Sequence, residues 1–269
     1  MIDRLLPFVR PAAIAIVVLT GGAAGAHQIV PHRALYTMSL IRANDSSEVT
    51  GARGAMAYKW GETCNGWTIE QRYRLRMGYS ESPDVTIASN FVTWESKDGL
   101  SYRFNQLERR DGKTDEQIRG SATLDGPGKG GVATFEEPAG KSFKLPPGTL
   151  FPTAHTLLLL KLAESGQNFV AKQVFDGATV DGSALVSAVI GPKMQPDPAT
   201  AKKNPLLDRP GWRVRLAFFP ADPKAEKPDY ELGMVLLDNG ISRDMVIDYG
   251  DYAIHAKLDD VEALDKPHC

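Results

Sequence analysis

The stretch WTIEQRYRLRM, residues 67–77, decides the fold class of this chain. Apolar side chains occupy five of its six odd-numbered positions, and polar or charged side chains occupy all the even-numbered ones. Because successive side chains of a β-strand point to opposite faces, this alternation predicts a strand with one buried and one solvated face. Such one-sided burial is typical of antiparallel sheets.

The same alternation recurs at 212–218 and 252–258. Seven Asp-Gly or Asn-Gly pairs separate the strand-like runs, and such pairs supply the positive φ that tight hairpin turns need. We therefore predict a mainly β protein with many antiparallel strands. The predicted strands lie near 33–42, 54–61, 67–77, 85–95, 99–108, 116–124, 131–137, 169–176, 184–190, 212–219, 230–238, 243–249 and 252–258.

A single segment, about 153–164, predicts a helix. Pro152-Thr153 opens the run, and Gly166 stands where a C-terminal cap is expected. The run Leu157 to Leu160, with Leu162, makes the segment apolar almost all round. We therefore expect this helix to be buried under the sheet.

Two Pro-rich stretches, 191–211 and 220–229, are predicted to be polar, mobile connections, because Pro at this density does not fit central strands. Strands of the same character lie on both sides of them, so neither stretch marks a domain boundary. The sequence also shows no fixed-period repeat. We therefore predict that residues 27–269 form one domain.

The first 26 residues have the pattern of a cleaved export signal. Arg4 and Arg10 flank its start, an apolar run from Ala12 to Leu19 follows, and Ala24-Gly25-Ala26 supplies a small-residue cleavage site. No later stretch reaches about 18 consecutive apolar residues, the length of a membrane-spanning helix. We predict a soluble periplasmic protein without a transmembrane anchor; the alternative is an uncleaved N-terminal anchor.

The charge balance argues against nucleic acid as a partner. The chain has 31 basic and 33 acidic residues, and removal of the predicted signal leaves 29 and 32, a net charge of −3. Nucleic-acid binding needs a concentrated basic surface. The remaining 243 residues, 269 less 26, are enough for one large all-β core.

Cysteine use is sparse, with Cys64 in the first third of the chain and Cys269 as the last residue. In an oxidising compartment, two lone cysteines most simply pair with each other. A free thiol and a bond to another protein are the alternatives. Neither residue has the C-x-x-C spacing of a redox catalyst or of a metal site.

The common catalytic signatures are absent from the sequence, including G-x-S-x-G, H-E-x-x-H, a Gly-rich phosphate loop and the EF-hand spacing. We therefore predict a protein that is not an enzyme, with no catalytic residue, metal site or cofactor. We expect His155 to make a structural hydrogen bond at the start of the helix. A periplasmic hydrolase that uses His155, His255 or Asp251 is the weaker alternative.

Arg72, Arg74 and Arg76 place three positive charges on the solvated face of one predicted strand. Such a row could meet anionic lipid headgroups or an acidic partner, and we name it as a candidate partner surface. The alternative is an ordinary solvated face, whose long side chains cover apolar surface and pair with strand neighbours.

Long segments of the chain resemble the alphaproteobacterial cell-envelope integrity protein family EipB. They are VPHRALYTMSL, LPPGTLFPTAHTLLLLKLAESG, RLAFFP, PDYELGMVLLDNG, DYGDYAIHAKLDDVEAL and the closing Cys269. The resemblance covers nearly all of the chain after the predicted signal. It implies a sheet curled into a spiral or broken barrel around one helix, and a disulfide between Cys64 and Cys269. It also implies a role in the cell envelope under membrane and cell-wall stress, with genetic links to a periplasmic tetratricopeptide-repeat protein.

Two functions fit these expectations. The first is a non-catalytic envelope scaffold or interaction module. The second is a carrier of lipid or lipoprotein, because a half-closed sheet offers a concave apolar face that can hold an acyl chain. Leu157 and Leu160 discriminate between them as candidate ligand or core residues. A helix that plugs the concavity with these side chains favours the scaffold, whereas a helix that covers only one mouth favours the carrier.

Overall fold

The computed structural model describes residues 29–221 and 225–269, so the predicted signal segment 1–26 lies outside the described residues. In these residues, fourteen strands form one antiparallel sheet. The strands are β1 His32–Ala43, β2 Val49–Glu62, β3 Gly66–Tyr79, β4 Val85–Ser96, β5 Ser101–Arg110, β6 Lys113–Leu124, β7 Gly131–Glu137, β8 Ser142–Leu145, β9 Phe169–Val174, β10 Ala184–Met194, β11 Gly211–Phe219, β12 Tyr230–Leu237, β13 Ser242–Asp248 and β14 Tyr252–Ala263.

The sheet consists of two hairpin meanders that meet where the first and last strands pair. Strands β1 to β8 follow one another in order on one side, and β9 to β14 do so on the other. The junction is the antiparallel pair of β1 with β14, in which His32 lies opposite Ala263. Strands β8 and β9 are the two edges and do not pair with each other, so the sheet is not closed.

The alternation at residues 67–77 has the predicted effect on strand β3. Leu75 and Met77 are buried, whereas Arg72, Arg74 and Arg76 are exposed. The Asp111-Gly112 pair also forms a hairpin turn as predicted, since both residues have positive φ between β5 and β6. The prediction of a mainly β, antiparallel fold is therefore confirmed.

Contacts between distant strands show that the sheet curls on itself. The Tyr102 hydroxyl of β5 donates a hydrogen bond of 2.8 Å to the carbonyl oxygen of Asp176, just after β9. The backbone of Gly177 lies so close to the Phe104 ring that an added Cβ would stand 2.4 Å from it, and its φ is +68°. Only glycine fits this position without displacing the ring.

The helix α1, Pro152–Glu164, lies on the concave face of the curled sheet. Its start is tied to β9, because Leu150 forms a parallel bridge with Val174. Its side chains Leu159, Leu160 and Ala163 are buried in one core with side chains of β10, β11, β2 and β3. The strand residues of this core include Val186, Ala188, Ile190, Trp212, Trp60 and Trp67. The predicted helix is therefore present, and it is enclosed by the sheet as its apolar sequence implies.

The structure differs from the prediction of a mobile connection over 191–211. Strand β10 continues to Met194, and its pairing with β11 shifts register between Ile190 and Lys193, at a bulge that contains Pro192. Proline is tolerated at such bulges because it has no N–H to donate to the ladder.

The rest of the same stretch is also ordered. A short helix, α2 Pro198–Ala201, and a 3₁₀ turn, Pro205–Leu207, follow β10. Leu207 is buried in the core, and the Asn239 side chain donates a hydrogen bond of 2.9 Å to the carbonyl oxygen of Leu206. The sequence prediction also missed strand β8, a four-residue edge strand that is too short to show a clear alternation.

A disulfide joins Cys64, in the turn between β2 and β3, to Cys269. The two cysteines are 205 residues apart in sequence, and their Cα atoms lie 5.7 Å apart. The bond fixes the chain end that follows β14 to the neighbouring meander.

In the described part of the chain, no helix combines the length and the apolar character needed to cross a membrane.

Replacing Cys64 with Ser is expected to lower the melting temperature by roughly 5 to 15 °C. Loss of a native disulfide typically costs about 2–5 kcal/mol, and each kcal/mol shifts the melting temperature of a protein of this size by about 2–4 °C. Thermal unfolding checks the shift, and a maleimide should then label Cys269. The Cys64→Ser/Cys269→Ser double variant should melt with the single variant. Equal melting of the wild type and Cys64→Ser would contradict this contribution.

Candidate functional site

A cavity of about 290 Å³ lies between helix α1 and the concave face of the sheet. Strands β1 to β5 line one side of it, and strands β11 to β13 line the opposite side. The volume is close to the lower end of the range for small-molecule sites, about 300–1,000 Å³. The curl of the sheet, together with the helix, therefore leaves ligand-sized space inside the protein.

One wall of the cavity is apolar and is formed by strands β11 and β12. Leu216 and Leu232 stand directly opposite each other across the two strands, and both line the cavity. Phe218 stacks on Tyr230 with ring centroids 4.4 Å apart. Met234 continues the same wall. This surface can hold an aliphatic chain but offers it little hydrogen bonding.

The facing wall carries polar groups from strands β2 and β3. Tyr58 and Gln71 are direct cross-strand partners, and Trp60 lies two residues further along β2. Burial raises the pKa of Tyr58, so its phenol stays protonated at neutral pH. The indole Nε1 of Trp60 is buried and has no hydrogen-bond partner among the described residues.

The helix contributes a further polar group, His155, whose exposed fraction is 5%. The expected structural hydrogen bond of its side chain is missing at Nε2, which is buried without a partner in the described part of the protein. Burial lowers the pKa of His155 to about 4, so the ring is neutral at pH 7. His155 is therefore a neutral residue that lines the cavity and carries a buried, unsatisfied nitrogen.

The two leucines named from the sequence do not line this cavity. Leu160 is fully buried in the core between α1 and the sheet, and Leu157 is partly buried against the same core. The helix side chains that line the cavity are Pro152, His155, Thr156 and Leu159. The helix thus packs one face into the core and presents its first two turns to an open space.

A buried carboxylate, Glu95 of strand β4, holds the start of the helix. Its Oε2 accepts a hydrogen bond of 2.7 Å from the Thr153 N–H, and its Oε1 accepts one of 2.8 Å from the Ala154 N–H. Its exposed fraction is 3%, and burial raises the pKa of Glu95 to about 7, although the two backbone bonds act in the opposite direction. The helix position is therefore set by a side chain of a strand that is remote in sequence.

Sequence reasoning missed Glu95, although the chain carries a signal for it. Glu95 occupies an inward-facing position of β4, directly opposite Trp67 and Tyr102, where the alternation calls for an apolar residue. A charged residue at such a position needs a buried partner. The unpaired N–H groups at the start of an apolar helix are suitable partners.

The three arginines of β3 lie on the outer face of the sheet. Arg72 forms an ion pair with Glu70, and Arg76 forms one of 2.9 Å with Asp84. Arg74 has no ion pair within the described residues. Arg53 of β2 stands directly opposite Arg76 and is also exposed, which adds a fourth positive charge to this arginine face, Arg53, Arg72, Arg74 and Arg76.

The remaining histidine and aspartate candidates lie apart from the cavity. His255 is on β14, with its Nε2 3.8 Å from Asp244, and Asp251 is in the turn between β13 and β14. Within residues 29–221 and 225–269, no three His, Cys, Asp or Glu side chains are grouped so that they could hold a metal ion.

Fold and site together define a class of protein: an open, curled antiparallel sheet that encloses one helix and keeps a largely apolar cavity beside it. Within this class, the chain belongs to the EipB-like family, whose family model matches residues 23–265. The family resemblance of the sequence segments is therefore confirmed.

A named protein and a solved structure, both from Brucella abortus, are similar to this chain. The cell envelope integrity protein EipB of strain 2308 is 33% identical over 249 residues, which cover 90% of this chain and 87% of that protein. The crystal structure of a beta-barrel-like protein of domain of unknown function DUF1849 matches with a TM-score of 0.81 and 31% identity. That match covers 88% of this chain and 99% of the other.

The pH dependence of stability is expected to show the burial of Glu95. Between its ordinary pKa of 4.5 and the folded value of about 7, the folded protein holds a proton that the unfolded chain has released. The protonated, buried Glu95 therefore contributes to the unfolding free energy in full below pH 4.5, and this contribution is lost as the pH rises through about 7. The Glu95→Gln variant lacks this ionisable group. The difference in unfolding free energy, Glu95→Gln minus wild type, should therefore become more positive as the pH rises from 4.5 to about 7.

Urea unfolding at several pH values between about 4.5 and 7.5 measures this difference. Glu262→Gln, an exposed carboxylate on β14, controls for the change in net charge. A difference that stays flat or falls with pH would show that the two backbone donors keep Glu95 ionised despite its burial.

Proposed function

We propose that this protein supports the integrity of the bacterial cell envelope from the periplasm, without catalysis, by holding an acyl chain in the cavity beside helix α1. The envelope role is the one that the name of its Brucella relative states for that protein. The ligand role rests on the cavity itself. Acyl chains in the envelope belong to lipids and lipoproteins, so the protein would act as a carrier or sensor of one of these.

The single observation that carries the ligand role is the space of about 290 Å³ that the helix leaves open. If the helix filled the concavity, the protein would be a solid scaffold. Instead, Leu160 is directed into the core, and the first two turns of the helix border a space with an apolar opposite wall. Each methylene group that moves from water into such a space contributes about 0.8 kcal/mol.

The disulfide supports the periplasmic location. Bonds of this kind persist in oxidising compartments and are rare in the cytosol. The bond between Cys64 and Cys269 is therefore consistent with a protein that folds after export. The export signal that the sequence predicts has the same implication.

Filling the cavity is expected to weaken ligand binding. Ile69→Trp adds bulk at the inner face of β3, and it should weaken binding of the neutral apolar dye N-phenyl-1-naphthylamine by about tenfold or more, as expected if the space for two methylene groups is lost. Val92→Trp adds the same bulk on the exposed outer face of β4 and should bind the dye like wild type. Fluorescence titration measures both.

Thermal unfolding confirms that each variant is folded, and Met234→Trp, on the opposite wall, replaces Ile69→Trp if that variant is not. Native mass spectrometry of wild-type protein from the periplasm should show lipid-sized adducts that Ile69→Trp lacks. Wild-type protein that neither binds the dye nor carries an adduct would refute the ligand role.

A second candidate function, docking to an anionic membrane surface, is favoured by the arginine face. Like charges directly opposite each other on a sheet are unfavourable for stability, and Arg53 and Arg76 are such a pair. An anionic surface would relieve their repulsion. A periplasmic tetratricopeptide-repeat protein, the partner that the family resemblance implies, stays a proposal for the same surface.

Replacing Arg72, Arg74 and Arg76 together with Ser is expected to change the unfolding free energy by about 1 kcal/mol or less, because exposed ion pairs contribute little. The variant should nevertheless lose binding to vesicles that contain phosphatidylglycerol, measured by co-sedimentation at low salt. Replacing Arg209, Arg213 and Arg215, which are exposed around β11, is the matched control. Equal sedimentation of the two triple variants would argue against docking through this face.

A further inference from the structure

The polar wall of the cavity is more elaborate than an acyl chain alone requires. Trp60 and His155 are more than nine-tenths buried, and each has a side-chain nitrogen with no partner among the described residues. Buried polar groups in native proteins are nearly always hydrogen-bonded, because an unpaired one is unfavourable. Both residues line the same cavity, so a ligand in it can supply the missing partners once small movements of the two rings uncover the nitrogens.

The unpaired groups belong to one polar patch, which we define as Tyr58, Trp60, Gln71 and His155. The Tyr58 and Trp60 rings of β2 pack edge to face, with centroids 6.4 Å apart, and Gln71 stands opposite Tyr58 on β3. His155 joins them on the cavity wall from the first turn of α1. Leucine and methionine side chains of β11 and β12 line the same cavity, so its lining combines this polar patch with an apolar surface.

The charges around the cavity restrict the kind of polar group that can enter. None of its described lining residues is a lysine or an arginine, and Asp176 contributes a partly buried carboxyl group. His155 is neutral at pH 7 because burial lowers its pKa to about 4. A carboxylate or a phosphate would therefore be buried without a counter-charge, which is strongly unfavourable.

The hydrogen-bonding chemistry restricts the ligand further. The indole N–H of Trp60 can only donate, so its partner must be an acceptor. A hydrocarbon has no acceptor, whereas a carbonyl oxygen is a strong and uncharged one. The neutral ring of His155 can donate or accept at Nε2, according to its tautomer, and so it tolerates either an ester or an amide beside the carbonyl.

We propose that the cavity selects acyl chains that end in an uncharged carbonyl group, an ester or an amide, whose oxygen accepts the Trp60 indole N–H. The apolar wall of β11 and β12 holds the chain, and the polar patch holds its carbonyl end. This selectivity rests on the proposed function, namely that the cavity holds an acyl chain. Esters represent the O-acyl groups of glycerolipids, and amides represent the N-acyl groups of acylated peptides.

Competition with N-phenyl-1-naphthylamine tests this selectivity with four ten-carbon probes: decane, methyl decanoate, decanamide and decanoate. In wild-type protein, methyl decanoate or decanamide should displace the dye at about one tenth of the concentration that decane or decanoate needs, the size of effect expected from one good hydrogen bond. The better of the two carbonyl probes identifies the source, lipid or acylated peptide.

Trp60→Phe keeps an aromatic ring and removes the N–H, so it should bring the two carbonyl probes to the level of decane. Trp67→Phe is the matched control, because Trp67 packs edge-on against Trp60 in the same core but does not line the cavity. This control should keep the wild-type preference. His155→Leu provides a second variant on the other element of the wall, and it should reduce the preference without abolishing dye binding.

The outcomes separate this inference from the function on which it rests. If decane and methyl decanoate compete equally well in wild-type protein, the carbonyl selectivity is wrong and the apolar ligand role stands. Tighter binding of decanoate, or a preference that Trp60→Phe retains, also overturns the selectivity. If the wild-type protein neither binds the dye nor carries a lipid-sized adduct, both proposals fail.

Discussion

The pair of hydrogen bonds from Glu95 to the start of helix α1 is the constraint on which the interior depends. Apolar packing alone does not fix the depth and tilt of a short apolar helix inside a curled sheet, because it is not directional. Glu95 removes that freedom by receiving two adjacent backbone N–H groups on its two oxygens. Phe151, the residue just before the helix, stacks on Tyr102 at 4.9 Å, which holds the same end from the neighbouring strand. With its start held in this way, the helix covers β10 and leaves the cavity beside its first two turns open.

The strands and their inner faces could be predicted from the sequence, because alternation depends on each residue's immediate neighbours in the chain. Trp67 to Met77 is the clearest case, and the exposed positions of Arg72, Arg74 and Arg76 follow from it. The curl could not be predicted in the same way. It depends on contacts such as Tyr102 with Asp176, which join residues 74 positions apart, and no local pattern encodes such a pairing.

The candidate site was for the same reason only partly predictable. The helix was identified from its composition, and of the two roles considered for Leu157 and Leu160, ligand or core, the structure places both in the core. Leu160 illustrates this, while His155 and Thr156 face the space. Polar residues at inward positions, such as Glu95 and Gln71, were the better signal. They interrupt the alternation, and a buried polar group marks either a structural partner or a ligand.

The pairing of β1 with β14 also has a consequence for the order in which the chain can fold. Strand β1 is the first described element to be synthesised, and one of its two neighbours is the last strand of the chain. Strands β2 to β8 can form local hairpins as they arrive, but the seam between the meanders must wait until residue 263 has been delivered. Contacts of such long sequence separation form slowly, because a large loop must close first. For that interval, the incomplete chain exposes the unpaired edge of β1. Such an edge can pair with other chains, so the protein is prone to aggregation until β14 covers it.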